Sequence, residues 1–287
     1  MRADRPLVAI LLLCLAQGAA AVSRLAVVGG TEEFRTHFTS ALSAQLVAGG
    51  LPAPAIAAPR RSDLVLALGD EAFQEALHLN RPVLGLFISR NIALEAFTAG
   101  CACSAFFSEA DPVRQLRLAQ ALFPAARRIG LITSPETSWV AGLLAPYAER
   151  ESLLLVHTAL ADSNALAREL PRLLPQVDLL LAISDERLYS EATARLILLT
   201  SYRQNKPVIG PDELFVQAGS VATSYSSGAD MVKQAARAVL DFAERGWLPP
   251  PDFANVFSLR LNSHVVRAYD VPMVDPDALQ RQLEAGQ

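Results

Sequence analysis

A two-lobed α/β fold built on parallel sheets is what this sequence predicts, and three observations carry it. A run of strand, acidic turn, helix and strand is spelled twice: DLVLALGDEAF from Asp63 leads to NRPVLG from Asn80, and DLLLAISDERL from Asp178 leads to NKPVIG from Asn205. Apolar runs of strand length alternate with helix-length stretches, the pattern of βαβ units with right-handed crossovers. The strand runs are apolar throughout, as strands covered on both faces should be.

In order, RLAVVGG (24–30) reads as a strand closed by two glycines. Phe34, Phe38, Leu42 and Leu46 then line one face of a helix that Gly49 and Gly50 stop. PAPAIA suits only an edge strand, since proline cannot donate to a ladder. DLVLALG (63–69) is a strand, DEAFQEALHL a helix, PVLGLFI (82–88) a strand and SAFFS (104–108) another. Asp111 as N-cap and Pro112 at the first helical position open a helix that runs to Pro124. RRIGLIT (127–133) is a strand, and TSPE offers a capping box to the helix that follows. LLLVHTA (153–159) is a strand, NALARELPRLL a helix, VDLLLAIS (177–184) a strand and 186–203 a long helix. PVIG and SVATSYS (220–226) are strands, and an amphipathic helix over 229–245 ends at Gly246. FSLRLN (257–262) is the last strand, before short helical pieces.

About ten strands in a duplicated order suit two sheets better than one. The division expected is residues 22–108 with about 227–254 in the first lobe, and 109–226 with about 255–287 in the second. Three passages between the lobes would form a hinge beside a cleft.

The first 21 residues stand apart. Arg2 and Arg5 precede the apolar run LVAILLLCLA and the small residues AQGAAA, the three-part pattern of a secretory signal cleaved after Ala21. Leu13 stands before Cys14, where a lipoprotein signal places a small residue, which argues against a lipid anchor. The expected product is exported to the periplasm. Cys101 and Cys103 remain; they form a tight bridge or stay as small buried residues, and no further Cys or close His completes a metal set.

Hydrophobic residues make up 52% of the chain, enough for real cores, and 19% are charged. A net charge of −4 without any dense basic cluster excludes a nucleic-acid footprint. No cofactor is expected: Gly29-Gly30 lacks the third glycine of a dinucleotide fingerprint, and neither a phosphate loop nor a G-x-S-x-G elbow occurs. His37, His78, His157 and His264 are scattered, and no catalytic constellation emerges, so the chain reads as a binder and not an enzyme.

In open parallel sheets ligands bind beyond the carboxyl ends of the strands. The loops there carry Thr31, Gly69-Asp70, Ser89-Arg90, Ser134, Ser184-Asp185 and Glu213. Helix starts favour an anionic group, while Asp70, Asp185 or Glu213 offer an acceptor for an ammonium. The same acids also suit plain helix capping, and Arg90 suits either a ligand clamp or a solvated loop.

The ordered set DPVRQLRLAQALFP, RRIGLIT, VDLLLAISD, KPVIG, QAGSVATSY and SLRLNSHVVRAY resembles the ABC-transporter substrate-binding family of the type I periplasmic-binding-protein fold, over nearly the whole mature chain. The resemblance implies a monomer that closes on a small, amino-acid-like solute and delivers it to a membrane permease. By the same resemblance Thr31, Gly69, Ser89, Ser134, Ser184, Asp185 and Tyr225 are ligand-binding positions. Two alternatives stand beside it. One is an envelope sensor or interaction module working with a receptor or sensor kinase, and the other is a nucleotide-dependent two-domain enzyme.

Overall fold

The computed structural model describes residues 22–269, 271 and 275–286; the signal segment expected at 1–21, with Cys14, lies outside them. The first lobe contains β1 (Arg24–Gly29), α1 (Glu32–Ala48), β2 (Ala55–Ile56), β3 (Leu64–Leu68), α2 (Asp70–Leu77), β4 (Val83–Ile88), α3 (Arg90–Thr98) and β5 (Cys103–Phe107). The second contains α4 (Pro112–Leu122), β6 (Arg128–Thr133), α5 (Trp139–Arg150), β7 (Leu154–Ala159), α6 (Leu166–Leu173), β8 (Leu179–Leu181), α7 (Glu191–Arg203), β9 (Val208–Ile209), α8 (Glu213–Ala218) and β10 (Ala222–Tyr225). Then follow α9 (Gly228–Arg245), β11 (Ser258–Leu261), α10 (Ser263–Ala268) and α11 (Pro276–Glu284).

The first sheet runs β2-β1-β3-β4-β5, all parallel. The second, read from its other edge, runs β7-β6-β8-β9-β10 in the same order, with β11 added antiparallel to β10. The duplication in the sequence is therefore a duplication of topology. The last helix of each unit is exchanged: α4 follows β5 but packs on α5 and β10, and α9 follows β10 but packs on α1.

The repeats also share backbone detail. Asn80 and Asn205, which open the echoed NRPV and NKPV, both adopt the left-handed region, with φ of 53° each, a conformation asparagine tolerates better than most residues. The leading aspartates do one job twice. Asp63 accepts the backbone N–H of Ser23 (3.0 Å) and Arg24 (2.9 Å), and Asp178 accepts those of Arg127 (2.7 Å) and Arg128 (2.8 Å). Each carboxylate thus holds the start of the neighbouring strand. Partial burial opposes ionisation of Asp63, but the Arg24 guanidinium and the backbone donors outweigh it and keep the carboxyl below its ordinary range. At Asp178 burial is likewise outweighed, by the two backbone donors with Lys206 and Arg128 nearby. A lowered folded pKa means stability present at neutral pH and lost as pH falls through that lowered value. Asp178→Ala should cost about 1–3 kcal/mol and flatten the fall of melting temperature between about pH 5 and 3, read by thermal unfolding across pH.

Both faces of the first sheet are covered. Leu25, Phe38, Leu42 and Leu46 pack with Met231, Ala235 and Val239 of α9 on one side, and Val65, Ala67, Phe73, Ile88 and Ala93 fill the other. The second lobe has one continuous core through α4 to α8, β6, β8, β9 and α11. Cys101 and Cys103 are joined as a disulfide at the start of β5. Among the described residues no helix is long and apolar enough to cross a membrane, and no three His, Cys, Asp or Glu are grouped to hold a metal.

Two sequence expectations change, and two helices go unforeseen. The TSPE segment does not cap a helix: α5 starts only at Trp139, because the Ser134 N–H turns to Thr137 Oγ1 and to Asp185. The helix expected from 186 starts at Glu191, since 186–189 wrap around the Asp185 carboxylate. The helices α3 and α8 are absent from the sequence pattern because they bury too little to show a period, Ala93 alone in α3 and Phe215 with Val216 in α8.

Candidate functional site

The carboxyl ends of both sheets open on one cleft of about 470 Å³. The first lobe brings Ser89 and Asn91, the first passage between lobes brings Ser108, Glu109 and Ala110, and the second lobe brings Ser134, Glu136, Thr137 and 184–187. Tyr189, Pro211, Asp212, Tyr225 and Ser226 complete the wall. A bulge positions the first-lobe group. Phe87 sits at φ 59° and the register with β5 slips between Leu86 and Ile88, which re-aims the chain just before Ser89 and Arg90.

Of the residues singled out in the sequence, Ser89, Ser134, Ser184, Asp185 and Tyr225 meet in this lining. Thr31, Gly69, Asp70, Arg90 and Glu213 are not part of it. Thr31 caps α1, accepting the Phe34 N–H at 3.2 Å. Gly69, at φ 87°, is the turn into α2. Asp70 accepts the Ser89 N–H (2.7 Å) and hydroxyl (2.5 Å), so it ties two neighbouring turns together and occupies the Ser89 proton. Glu213 opens α8 behind Tyr225; burial and this carboxylate push the Tyr225 phenol up to about 12. Arg90 is the first residue of α3, and its guanidinium lies on the Trp139 ring, with Cζ 3.8 Å from the centroid.

The two acidic turns of the repeat have diverged. Asp70 reaches the turn after β4, whereas Asp185 reaches the turn after β6. Asp185 is 6% exposed and accepts from Ser134 N (2.9 Å), Thr137 Oγ1 (2.5 Å), Arg187 N (3.1 Å) and Leu188 N (3.2 Å). A carboxylate has about four lone-pair positions, so all of its acceptors are engaged in shaping the wall. The Ser184 hydroxyl accepts the Ala110 N–H at 3.3 Å and joins the second lobe to the first passage.

Glu109 is different. Its oxygens accept the Arg90 backbone N–H at 3.0 and 3.1 Å and the Ser108 hydroxyl at 3.2 Å. All those donors are neutral, and among the described residues Glu109 makes no ion pair. Burial raises its pKa above the ordinary glutamate range; the Arg90 N–H and Ser108 hydroxyl pull the other way, and nearby Asp70 adds to the rise. The lining as a whole is acidic. Glu109, Glu136, Asp185, Glu186 and Asp212 face one cation, Arg187, which is itself paired with Glu136 at 2.9 Å. Such a wall attracts a positively charged group and supplies hydroxyl and backbone donors for polar ones. Glu109 escapes a reading by sequence because Ser108-Glu109-Ala110 belongs to a passage between lobes and not to any strand-to-helix turn.

The cleft is backed by a buried polar hinge. Arg114 of α4, 2% exposed, donates to Ser224 Oγ (3.3 Å) and to the Ala254 carbonyl (2.9 Å), and covers the Phe257 ring at 4.4 Å. One side chain of α4 thereby joins the strand before the second passage to the backbone and a ring of the third. Gln115 beside it bonds the Gly210 carbonyl, Thr223 Oγ1 and both backbone groups of Ser224. On the other side Gln234 accepts the N–H groups of Asn255 and Val256, and Ser258 donates to Asp230.

The model of a family described as ABC transporter substrate binding protein matches residues 108–271. No curated protein matches the sequence. The fold is similar to the ligand-free, open structure of CD0873, a substrate binding protein with adhesive properties from Clostridium difficile, at 13% identity, with 88% of this chain and 95% of that chain covered and a TM-score of 0.67. It is also similar to a conserved domain protein from Vibrio cholerae, at 14% identity, 91% and 98% coverage and a TM-score of 0.56. An ABC domain in complex with L-Trp from Streptococcus pneumonia matches at 15% identity, 90% and 97% coverage and a TM-score of 0.54.

Proposed function

Because the chain belongs to the family of ABC transporter substrate-binding proteins, we propose that it is an exported, monomeric protein that closes its lobes on a small amino-acid-like solute and passes it to a membrane permease. The solute carries an ammonium group, and Glu109 receives it. The observation that carries this is the Glu109 carboxylate, partly buried between the lobes, with acceptor capacity to spare and only neutral donors against it. A charge held that way costs free energy unless a cation joins it. Ser89, Ser134, Ser184 and Tyr225 supply the polar wall around the remaining groups, and Asp185 shapes that wall without contacting the solute charge. Binding ends in release and no bond is made or broken.

The test is a thermal-unfolding screen of the mature protein against a broad library of amino acids, amines, sugars and carboxylates. A ligand that binds only the folded state stabilises by about 2.7 kcal/mol at one hundred times its Kd. Saturable stabilisation by at least one amine-bearing compound is expected. Stabilisation by sugars or plain carboxylates alone refutes the ammonium assignment, and no shift with any compound counts against solute binding itself.

A further inference from the structure

We infer that Arg90 and Trp139 form a clasp between the lobes that acts without solute, setting how far the cleft closes and hence the affinity, while touching no solute atom. Arg90 belongs to the first lobe and Trp139 to the second, and each is the first residue of its helix. The Arg90 Cζ lies 3.8 Å from the Trp139 ring centroid, well inside the range of about 6 Å in which a cation is held over an indole. Phe107 stands 6.0 Å from the same guanidinium. Phe253, from the third passage, meets Phe107 edge-on at 5.0 Å and Trp139 at 6.4 Å. The stack is therefore seated against the hinge itself, where a small change of contact becomes a change of lobe angle.

The chemistry of Arg90 points the same way. Among the described residues its guanidinium forms no salt bridge; its backbone N–H goes to Glu109, whose charge also favours the protonated guanidinium from beyond contact distance. Neither Arg90 nor Trp139 lines the cleft. Separating the lobes would return the guanidinium to water and uncover the indole, so the stack favours the closed arrangement. The measured affinity of any solute for the closed form scales with the fraction of molecules already competent to close. Arg90 is thus a positioning residue. At the usual strength of such pairs, its loss should raise the ratio of open to closed molecules about tenfold.

The experiment uses the mature chain without solute, so its outcome is separate from that of the ammonium assignment. The sequence has two tryptophans, Trp139 and Trp247, and Trp247→Phe leaves Trp139 as sole reporter. In that background Arg90→Ala should increase acrylamide quenching of Trp139 and shift its emission to the red. Solution X-ray scattering should show a larger radius of gyration. Arg90→Lys, which keeps a cation, should restore part of both, and the neutral planar Arg90→Gln should restore neither. Wild-type quenching and radius in Arg90→Ala overturn the clasp, and so does full rescue by Arg90→Gln, since the charge then plays no part. If Arg90→Ala folds poorly, Trp139→Leu followed by scattering alone asks the same question, and an unchanged radius there also overturns it.

Discussion

Glu109→Gln is expected to raise the melting temperature of the solute-free protein at neutral pH and to weaken solute binding by about a hundredfold or more. The two effects share one cause. Burial lifts the Glu109 pKa above the ordinary range, so the folded protein resists the ionised form. With a raised folded pKa, the stability from this group is complete below about pH 4.3, the unfolded value, and is lost as pH rises through the folded value. At neutral pH the free protein therefore carries the cost of a partly buried charge that no cation contacts among the described residues. Gln keeps an acceptor for the Arg90 N–H and removes that cost, a gain of about 0.5–2 kcal/mol of the kind often bought at a functional site by losing function. The bound ammonium loses its counter-charge, and truncating one side of such a pair typically costs about 2–5 kcal/mol. Solute affinity of the native protein should likewise weaken as pH falls through the raised Glu109 pKa. Thermal unfolding and calorimetric titration of both proteins at several pH values read all three effects.

Arg114→Ala should be the most damaging single change away from the cleft. Burial pushes its guanidinium pKa down, with Asp111 opposing, and it contacts Ser224, Ala254 and Phe257 together. Removing it leaves the Ala254 carbonyl without that donor, opens a cavity over Phe257 and frees the third passage from α4. A loss of about 3 kcal/mol is expected, equivalent to about 6–12 °C in melting temperature for a chain of this size. Arg114→Met, which keeps the stem over Phe257, should recover part of it. Equal losses in both variants would show that the hydrogen bonds matter and the packing does not.

Much of the fold is legible in the sequence because its causes are local or periodic. The apolar runs of β3 and β8, the Asp111-Pro112 start of α4 and the Gly246 stop of α9 each announce themselves within a few residues. The echo from Asp63 and Asp178 goes further, since both copies clamp the neighbouring strand in the same way. The site is less legible. Whether an aspartate is free or saturated depends on donors far off in the chain, as Ser134 and Thr137 are from Asp185. Arg90 looks the same in sequence whether it clamps a ligand or stacks on Trp139, because the ring arrives from the other lobe. The role proposed for Glu109 depends on a passage between lobes that no periodicity marks.

The central claim is that an ammonium group sits against Glu109, and matched pairs of solutes test it most directly. Each amino acid that stabilises the mature protein is titrated by calorimetry beside its N-acetyl form, which keeps the carboxylate and side chain but lacks the charge. Binding of the free amine with loss of about a hundredfold or more on acetylation is the expected result. Equal binding of the two forms would contradict it.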